Sequence, residues 1–308
     1  MRIITLSLLL CGLVIQSFGV RPPLKGYTYA SEQAPTGKEW QSPENLALNK
    51  EQPHAWFFPF QDIKSARKVL PENSIYWQSL NGNWKFNWAA DPDSRPKDFY
   101  KTDFDVTAWD NIPVPSSWNI YGVQQDGSLK YGVPIYVNQP VIFMHSVKAD
   151  DWRGGVMRTP PTNWTTYKYR NEVGSFRREF EIPEHWDGRE VFISFDGVDS
   201  FFYLWINGMY VGFSKNSRNT ANFNITNYLR SGKNIVAAEV YRNSDGSFLE
   251  AQDMFRLPGI FRTVALYSTP KVQIRDLVAT PDLDNNYTDG SLTIQADIRN
   301  FGKKTAKG

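Results

Sequence analysis

The feature that most constrains the fold of this chain is a pair of short apolar segments joined by the dipeptide Asn207-Gly208. Residues 201–206 and 210–214 are rich in aromatic and β-branched side chains, which favour β-strands. An Asn-Gly pair suits the left-handed backbone of a two-residue type I′ turn. The sequence therefore predicts a β-hairpin at this point.

Short segments of the same kind recur through the middle of the chain. In residues 83–88, aromatic Trp84, Phe86 and Trp88 alternate with polar side chains, as in a strand with one buried face. Further strands are predicted at residues 174–183, 190–196, 234–241, 261–267, 272–280 and 291–300. No stretch in the middle of the chain has a sustained helical period. Many short strands separated by turns predict an all-β chain with a jelly-roll β-sandwich.

The N-terminus has the pattern of a signal peptide. Arg2 precedes an apolar stretch, and Ser17-Phe18-Gly19 offers small residues for cleavage near Gly19. The stretch is too short for a convincing membrane span, so we expect export to the periplasm or outside of a bacterium, without membrane attachment afterwards. Cys11 is the single cysteine, and its lipidation is the alternative. Cleavage near Gly19 would remove Cys11, so the mature chain would have no disulfide, thiolate metal site or cysteine nucleophile.

The composition disfavours one class of partner and favours another. The 308 residues have a formal net charge of +2 and scattered Lys and Arg, which gives no indication of nucleic-acid binding. Aromatic residues make up 15% of the chain, including 11 Trp, and aromatic rings can stack on the apolar faces of sugars. An aromatic-rich sandwich core accounts for the same content equally well, so the composition alone does not choose between the two.

The segment 241–262 has a density of charged and aromatic side chains found nowhere else in the chain. Its charged side chains are Arg242, Asp245, Glu250, Asp253, Arg256 and Arg262. Charges among aromatics can be buried only if they pair or form hydrogen bonds. We therefore expect a structured, partly buried loop that lines a site or an interface.

Over roughly residues 43–300, the chain resembles the N-terminal part of glycoside hydrolase family 2 β-galactosidases. The resemblance rests on SLNGNWKF (79–86), IPVPSSW (112–118), YGVPIYVN (131–138), FDGVDSFFYLWINGMYVGFSKNSR (195–218) and SDGSFLEAQDMFRLPGIFR (244–262). The last motif favours β-galactosidases over the related glucuronidases and mannosidases.

The resemblance implies an order of domains. A signal peptide (1–19) and an N-terminal arm (20–75) precede a jelly-roll sugar-binding domain (76–269). Residues 270–308 would be the truncated start of an immunoglobulin-like domain, because a whole one needs about 100 residues. Family members carry both catalytic glutamates on a later TIM barrel, so we expect no catalytic residue and no hydrolysis from this chain alone. Full-length members use Mg and Na ions, and no cofactor is expected in this portion.

The resemblance also implies two residues that contact sugar. Asn138 matches an asparagine that reaches galactose, and its amide can both donate and accept. The alternative is that Asn138 closes a turn before Gln139. Asn216 occupies the position of a carboxylate that holds the galactosyl 6-hydroxyl and a sodium ion. Because the charge is absent and Lys215 is adjacent, we expect weaker sodium binding by Asn216.

Four further residues are expected to support the site rather than to catalyse: Asp245, Glu250, Asp253 and Arg256. The leading hypothesis is the N-terminal portion of a retaining glycosidase that acts on terminal β-D-galactosides or on a larger glycan. Two other hypotheses remain. One is a stand-alone carbohydrate-binding module. The other is a structural or oligomerisation fragment, suggested by the aromatic residues 54–60 and by homo-oligomers in the family.

Overall fold

The computed structural model describes residues 34–137, 171–250 and 254–305, and within them the chain is a β-sandwich. Their strands are β1 (Ala47–Leu48), β2 (Trp77–Ser79), β3 (Gly82–Ala89), β4 (Asp110–Val114), β5 (Ile135–Val137), β6 (Val173–Glu181), β7 (Glu190–Phe195), β8 (Val198–Asp199), β9 (Phe201–Ile206), β10 (Met209–Ser214), β11 (Ala221–Asn224), β12 (Lys233–Tyr241), β13 (Met254–Arg256), β14 (Gly259–Ile260), β15 (Val264–Thr269), β16 (Val272–Leu283) and β17 (Gly290–Asn300). The α-helices are single turns, α1 (Ile63–Ala66) and α2 (Trp118–Tyr121). Short 3-10 turns are Glu39–Gln41, Pro71–Asn73, Glu184–Trp186, Thr226–Tyr228 and Asp245–Phe248. The all-β prediction is confirmed.

Two antiparallel sheets make the sandwich. The larger has the order β1-β10-β9-β12-β6-β3-β4, and the smaller has the order β11-β7-β15-β2. Alternate residues of both sheets point inward and form one apolar core, as the period of two in a strand requires. In β3, Trp84 and Phe86 are the inward residues of the predicted aromatic alternation, and both are 1% exposed. Trp88 is only partly buried and packs against the edge of this core.

Strand β9 is buried on both faces. Phe202, Leu204 and Ile206 belong to the core between the sheets. Tyr203 and Trp205 point the other way, into a second cluster that covers the outer face of the larger sheet. This explains why residues 201–206 are a continuous apolar run and not an alternating one.

The predicted hairpin between β9 and β10 is confirmed. Asn207 and Gly208 have φ angles of 53° and 82°, both in the left-handed region that a type I′ turn needs. The Asn207 side chain is also buried. Its Nδ2 donates to the carbonyl of Tyr228 at 2.8 Å, and its Oδ1 accepts from the amide of Ile235 at 2.9 Å. The turn is therefore anchored to the 3-10 turn at Thr226–Tyr228 and to β12.

Residues 20–45 are polar with scattered Pro and Gly, which predicts a surface segment, and for Trp40 this prediction is wrong. Trp40 is 7% exposed, and its ring stacks on Tyr241 at a centroid distance of 5.6 Å. The polar neighbours of Trp40 suggested a surface segment, but the outer face of the larger sheet is itself aromatic and needs a cover. Strand β1 then pairs with β10 and fixes the segment at the sheet edge.

The aromatic residues 54–60 have no regular secondary structure, as their prolines predict. The Trp56 ring packs edge-on against the Phe58 ring, and the ring centroids of Phe58 and Phe60 are 5.2 Å apart. The segment lies over the outer face of the smaller sheet, where His54 and Asn222 are 3.3 Å apart. The irregular character of this segment predicts that its rings pack on a neighbouring domain, and this stays a prediction. Its backbone also contacts β16, where the Ala55 amide donates to Asp276 Oδ1 at 2.8 Å.

The predicted strands after residue 260 are present with shifted bounds. Strand β15 begins at Val264 and not at Phe261, because Gly259–Ile260 first pairs with β8. Gly259 has a φ of 135°, and a Cβ there would lie 2.6 Å from the carbonyl oxygen of Ser116. Strands β16 and β17 form a long hairpin around the predicted loop at residues 284–286. That this hairpin begins an immunoglobulin-like domain stays a prediction, as does the jelly-roll assignment.

We predict that Gly212→Ala detaches the N-terminal segment from the sandwich. A Cβ at residue 212 would lie 2.1 Å from the carbonyl oxygen of Leu48, so β1 would have to move away from β10. Overpacking of this kind costs about 1–3 kcal/mol. Urea denaturation should show that loss, and limited proteolysis should cut near residue 48 earlier than in the wild type. Gly246→Ala is the control, because its nearest contact would be Ser244 Oγ at 3.4 Å. Equal stability of the two variants would contradict the prediction.

Candidate functional site

The loops that carry the candidate residues lie at one end of the sandwich. Strand β9 is antiparallel to both β10 and β12, so the last residues of β10 and β12 lie beside the first residues of β9. Residues 215–219 and 242–250 therefore leave the larger sheet at the same end. Strand β13 pairs there with β5, with Met254 opposite Val137. Arg218 Nη2 lies 3.7 Å from Met254 Sδ and links this pair to the 215–219 loop.

Asn216 is exposed at the tip of the loop that follows β10. Its φ of 77° lies in the left-handed region, which asparagine tolerates better than most residues. Asn219 donates its backbone amide to the Asn216 carbonyl at 3.4 Å, so the backbone of the turn is closed on itself. The Asn216 side chain is thus directed to solvent on a fixed turn, where its amide can serve a ligand.

Lys215 points in the opposite direction, into the protein. Its side chain is 3% exposed, and its Nζ lies 2.8 Å from Asp245 Oδ1. The same Nζ donates to the carbonyl of Ser42 at 2.5 Å. The positive charge next to Asn216 is therefore compensated by Asp245. The expectation that Lys215 opposes a cation at Asn216 is weakened accordingly.

Glu250 holds the loop that carries Asn216. Its Oε1 accepts from the backbone amide of Ser217 at 2.8 Å, and its Oε2 accepts from Ser217 Oγ at 2.5 Å. Both carboxylate oxygens are thus engaged by one fully buried serine. Glu250 positions the loop, as expected of a supporting residue.

Asp199 lies on the other side of the same serine. Its Oδ1 is 3.4 Å from Ser217 Oγ, and its Oδ2 is 3.7 Å from Arg218 Nη2. Burial raises the pKa of Asp199 to about 6, against the smaller opposing effect of the Arg218 charge. Asp199, Ser217, Arg218, Glu250 and Arg256 are called the carboxylate–arginine cluster below.

Arg256 is the most buried cation of the carboxylate–arginine cluster. It is 7% exposed, and its Nη1 donates to the carbonyl of Glu250 at 2.8 Å. Burial lowers the pKa of Arg256, while the charges of Asp199 and Glu250 partly compensate. Its Nε and Nη2 atoms have no hydrogen-bond partner among the residues that the structure describes. Arg256 therefore fixes the backbone of the 244–250 segment.

A second buried ion pair holds the chain that leads into β5. Glu172 and Arg242 are almost fully buried, with Arg242 Nη1 2.5 Å from Glu172 Oε1. Trp118 Nε1 and Asn119 Nδ2 donate to Glu172 Oε2 at 3.0 and 3.2 Å. Arg242 Nη2 donates to the carbonyl of Val133 at 2.7 Å. This network fixes the chain just before β5. The candidate Asn138 is the residue that follows β5 in the sequence.

The structure brings some of the predicted site residues together. Asn216, Asp245, Glu250 and Arg256 all lie at this end of the sandwich. Asn138 and Asp253 lie outside the described residues, as do Cys11 and the predicted signal peptide.

Asp199, Ser217 and Arg218 were missed as site residues, although all three lie within the 195–218 motif. Glu172 was missed as well. The available signal was the position of charged residues at strand ends, since Asp199 ends β8, Arg218 follows β10 and Glu172 precedes β6.

The described part of this end does not fit a sodium ion by itself. Asn216 supplies one neutral oxygen, and an alkali or alkaline-earth cation needs several oxygen ligands. In the described ranges no group of three or more His, Cys, Asp or Glu side chains is placed to hold a metal. None of the helices in those ranges has the length and apolar character to span a bilayer.

The fold is a β-sandwich whose candidate residues lie on loops at one end. Residues 77–270 match the model of the glycosyl hydrolases family 2 sugar binding domain. The chain belongs to this family.

Curated relatives are β-galactosidases. The chain is 42% identical over 264 residues to a β-galactosidase of Priestia megaterium, covering 85% of this chain and 24% of the relative. It is 34% identical over 272 residues to the large subunit of a Lactobacillus helveticus β-galactosidase, covering 85% of this chain and 40% of the relative. The chain thus matches the N-terminal sugar-binding region of such enzymes and spans well under half of their length.

A solved β-glucuronidase of Bacteroides uniformis has the same fold. The TM-score is 0.51 at 18% identity, over 73% of this chain and 22% of that one. This likeness supports the β-sandwich and nothing about substrate.

We predict that Asp199→Asn makes the protein relatively more stable as the pH rises. The pKa of Asp199 in the folded state, about 6, is above the 3.8 of a free aspartate, so folding favours the neutral carboxyl. The stability that this gives is present below about pH 4 and is lost as the pH rises through about 6, a change of about 2–3 kcal/mol at most. Urea denaturation of both proteins from about pH 4 to about pH 7 measures this change. Asp93→Asn, at an exposed position, controls for the loss of a surface charge. A pH-independent difference would contradict the prediction.

We predict strong coupling between Lys215 and Asp245. Lys215→Met leaves a mostly buried carboxylate without its cation, which costs about 3 kcal/mol of unfolding free energy. Lys215→Met combined with Asp245→Asn removes both charges and should recover most of that loss. A double-mutant cycle by urea denaturation measures the coupling. Additive single effects would show that the 2.8 Å ion pair is not stabilising.

Proposed function

We propose that this chain is the N-terminal portion of an exported glycoside hydrolase that cleaves terminal β-D-galactosides with retention. The observation that carries the proposal is the 42% identity over 264 residues with a β-galactosidase. In such a reaction, two carboxyl groups about 5 Å apart act as nucleophile and general acid. We propose that another part of the protein supplies both groups.

The carboxylates at this end of the sandwich support that division of roles. Glu250 accepts a hydrogen bond from Ser217 on each of its oxygens, which ties its carboxylate to the Asn216 turn. Asp199 is 7% exposed and faces Arg218. Asp199 and Glu250 both face the buried Ser217 and do not face each other across an open cleft. These carboxylates are better explained as supports of the Asn216 turn.

In this proposal Asn216 contacts the sugar. Its side chain is exposed on a turn that Glu250 and the Lys215–Asp245 pair hold in place. An amide can accept from one hydroxyl and donate to another, which suits a neutral sugar. Asn138 is proposed as a second contact. Support comes from β5, which ends at Val137 next to Met254, on the side of the cluster.

Export, a homo-oligomer and the use of metal ions are further proposals. Export rests on the apolar N-terminal stretch and on the small residues around Gly19. A homo-oligomer of the longer protein and its use of Mg and Na ions rest on the resemblance alone. At Asn216, we propose at most weak sodium binding, because the available oxygen is neutral.

We predict that Asn216→Ala weakens galactoside recognition. Losing one hydrogen bond to a hydroxyl is worth about 0.5–1.5 kcal/mol, so kcat/KM should fall about two- to tenfold, mainly through KM. The measurement is hydrolysis of p-nitrophenyl β-D-galactoside by the full-length protein, with the glucoside and glucuronide as comparisons. Asn216→Asp should keep most of the activity, because a carboxylate also accepts from a hydroxyl.

Asn219→Ala is the matched control, since residue 219 is exposed on the same turn. Unchanged kinetics for Asn216→Ala would remove Asn216 from the site. A glucuronide hydrolysed faster than the galactoside would overturn the proposed substrate. Turnover by the 308-residue chain alone, lost on changing Asp199 or Glu250, would overturn the proposed division of roles.

A further inference from the structure

A cavity of about 380 Å³ lies between the aromatic residues 54–58 and the outer face of the smaller sheet. Its floor is formed by outward residues of β2, β7, β11 and β15, which alternate with the core residues on the inner face. Close packing leaves few voids of this size inside a protein, whereas binding pockets begin at about 300 Å³. The segment therefore arches over the sheet and encloses a space. We call it the outer-face cavity.

One wall of the outer-face cavity is aromatic. Trp56, Phe57 and Phe58 come from the arching segment, and Trp77 and Tyr267 come from β2 and β15. Trp56 is 64% exposed and Phe57 is 37% exposed, so their rings are accessible. Leaving two large rings exposed side by side is unfavourable unless something covers them. Flat aromatic rings fit the C–H faces of pyranose sugars.

The opposite wall is polar and offers both donors and acceptors. Ser194 Oγ donates to Asp196 Oδ1 at 3.1 Å, which leaves the second oxygen of this half-buried carboxylate for a ligand. Ser79 Oγ accepts from the amide of Asn81 at 3.0 Å, so its own proton is not used there. Asn81 Nδ2 donates to Thr263 Oγ1 at 3.3 Å, which leaves the threonine proton available.

The charge of the cavity disfavours an anionic ligand, with two carboxylates and one basic side chain, His54, among the residues that line it. Asp196 and Glu72 are the ionisable acids among the described residues that line it, and no Lys or Arg is among them. An anionic ligand would be repelled by these carboxylates. In the part of the chain that the structure describes, no group of three or more acidic, His or Cys side chains is placed to hold a metal ion there. Hydroxyl groups, in contrast, can donate to Asp196 in strong charge-assisted hydrogen bonds.

We propose that the outer-face cavity is a second binding site for a neutral glycan, separate from the Asn216 turn. The aromatic segment stacks on a sugar ring while Asp196 and the neighbouring hydroxyls bind its hydroxyl groups. Arg262 stands between the two sites, because its Nη1 donates to the carbonyl of Arg218 at 2.8 Å and lies 3.4 Å from that of Asp196. Binding in the outer-face cavity does not require hydrolysis of the glycan.

The experiment is calorimetric titration of the full-length protein with cellotetraose, a neutral glycan without the terminal galactoside that the proposed reaction cleaves, and with trigalacturonate as the anionic comparison. Saturable binding of the neutral sugar and no binding of the anion are expected, at concentrations where a Kd of about 1 mM would saturate. Trp56→Ala and Asp196→Ala should each weaken binding at least about tenfold, which corresponds to about 1.4 kcal/mol. Because the Trp56 ring is largely exposed, its removal should leave the melting temperature nearly unchanged.

Two control variants distinguish binding in the outer-face cavity from binding elsewhere on the protein. Tyr287→Ala removes an aromatic ring that is 81% exposed on the β16–β17 hairpin, and it should bind like the wild type. Asn216→Ala should also leave tetraose binding at the outer-face cavity intact, even if it impairs galactoside hydrolysis. Absence of saturable binding would overturn the inference. So would wild-type affinity in Trp56→Ala, loss of binding only in Asn216→Ala, or a Trp56→Ala effect on stability without one on affinity.

Discussion

The two-sided burial of β9 is the constraint on which the rest of the structure depends. A strand whose residues are apolar on both faces cannot lie at the surface, so each face must be covered. The smaller sheet covers one face through the common core, and Trp40 with the 99–109 segment covers the other. Because β9 lies between β10 and β12, this burial also fixes where their following loops emerge. The candidate site is built from those two loops.

Charge compensation then determines which side chains at that end can bind a ligand. Lys215 and Asp245 neutralise each other, and Glu250 uses both oxygens on Ser217. Such groups are costly to bury and are tolerated because partners surround them. Asn216 is different, because only its backbone is tied into the turn. The charged residues thus hold the turn in place, and the neutral amide of Asn216 is left for the proposed contact with sugar.

Local features of the fold could be predicted from the sequence, and long-range ones could not. The Asn207-Gly208 turn follows from the backbone preferences of two residues, and the alternation in β3 follows from a period of two. The burial of Trp40 depends on Tyr241, about two hundred residues away, and nothing near Trp40 in sequence indicates it. The strand bounds after residue 260 shifted for a similar reason, since Gly259 pairs with a distant strand.

The candidate site follows the same division. The resemblance pointed to Asn216 and to the charged 241–262 segment, but it did not indicate how the charges pair. The carboxylate–arginine cluster joins three separate segments through Ser217, a residue that carries no charge and attracts no attention in a sequence. Its hydroxyl and amide both donate to Glu250 and so tie this carboxylate to the Asn216 turn. A family motif therefore identifies which residues belong to a site, while their chemical roles depend on which oxygens the fold leaves free.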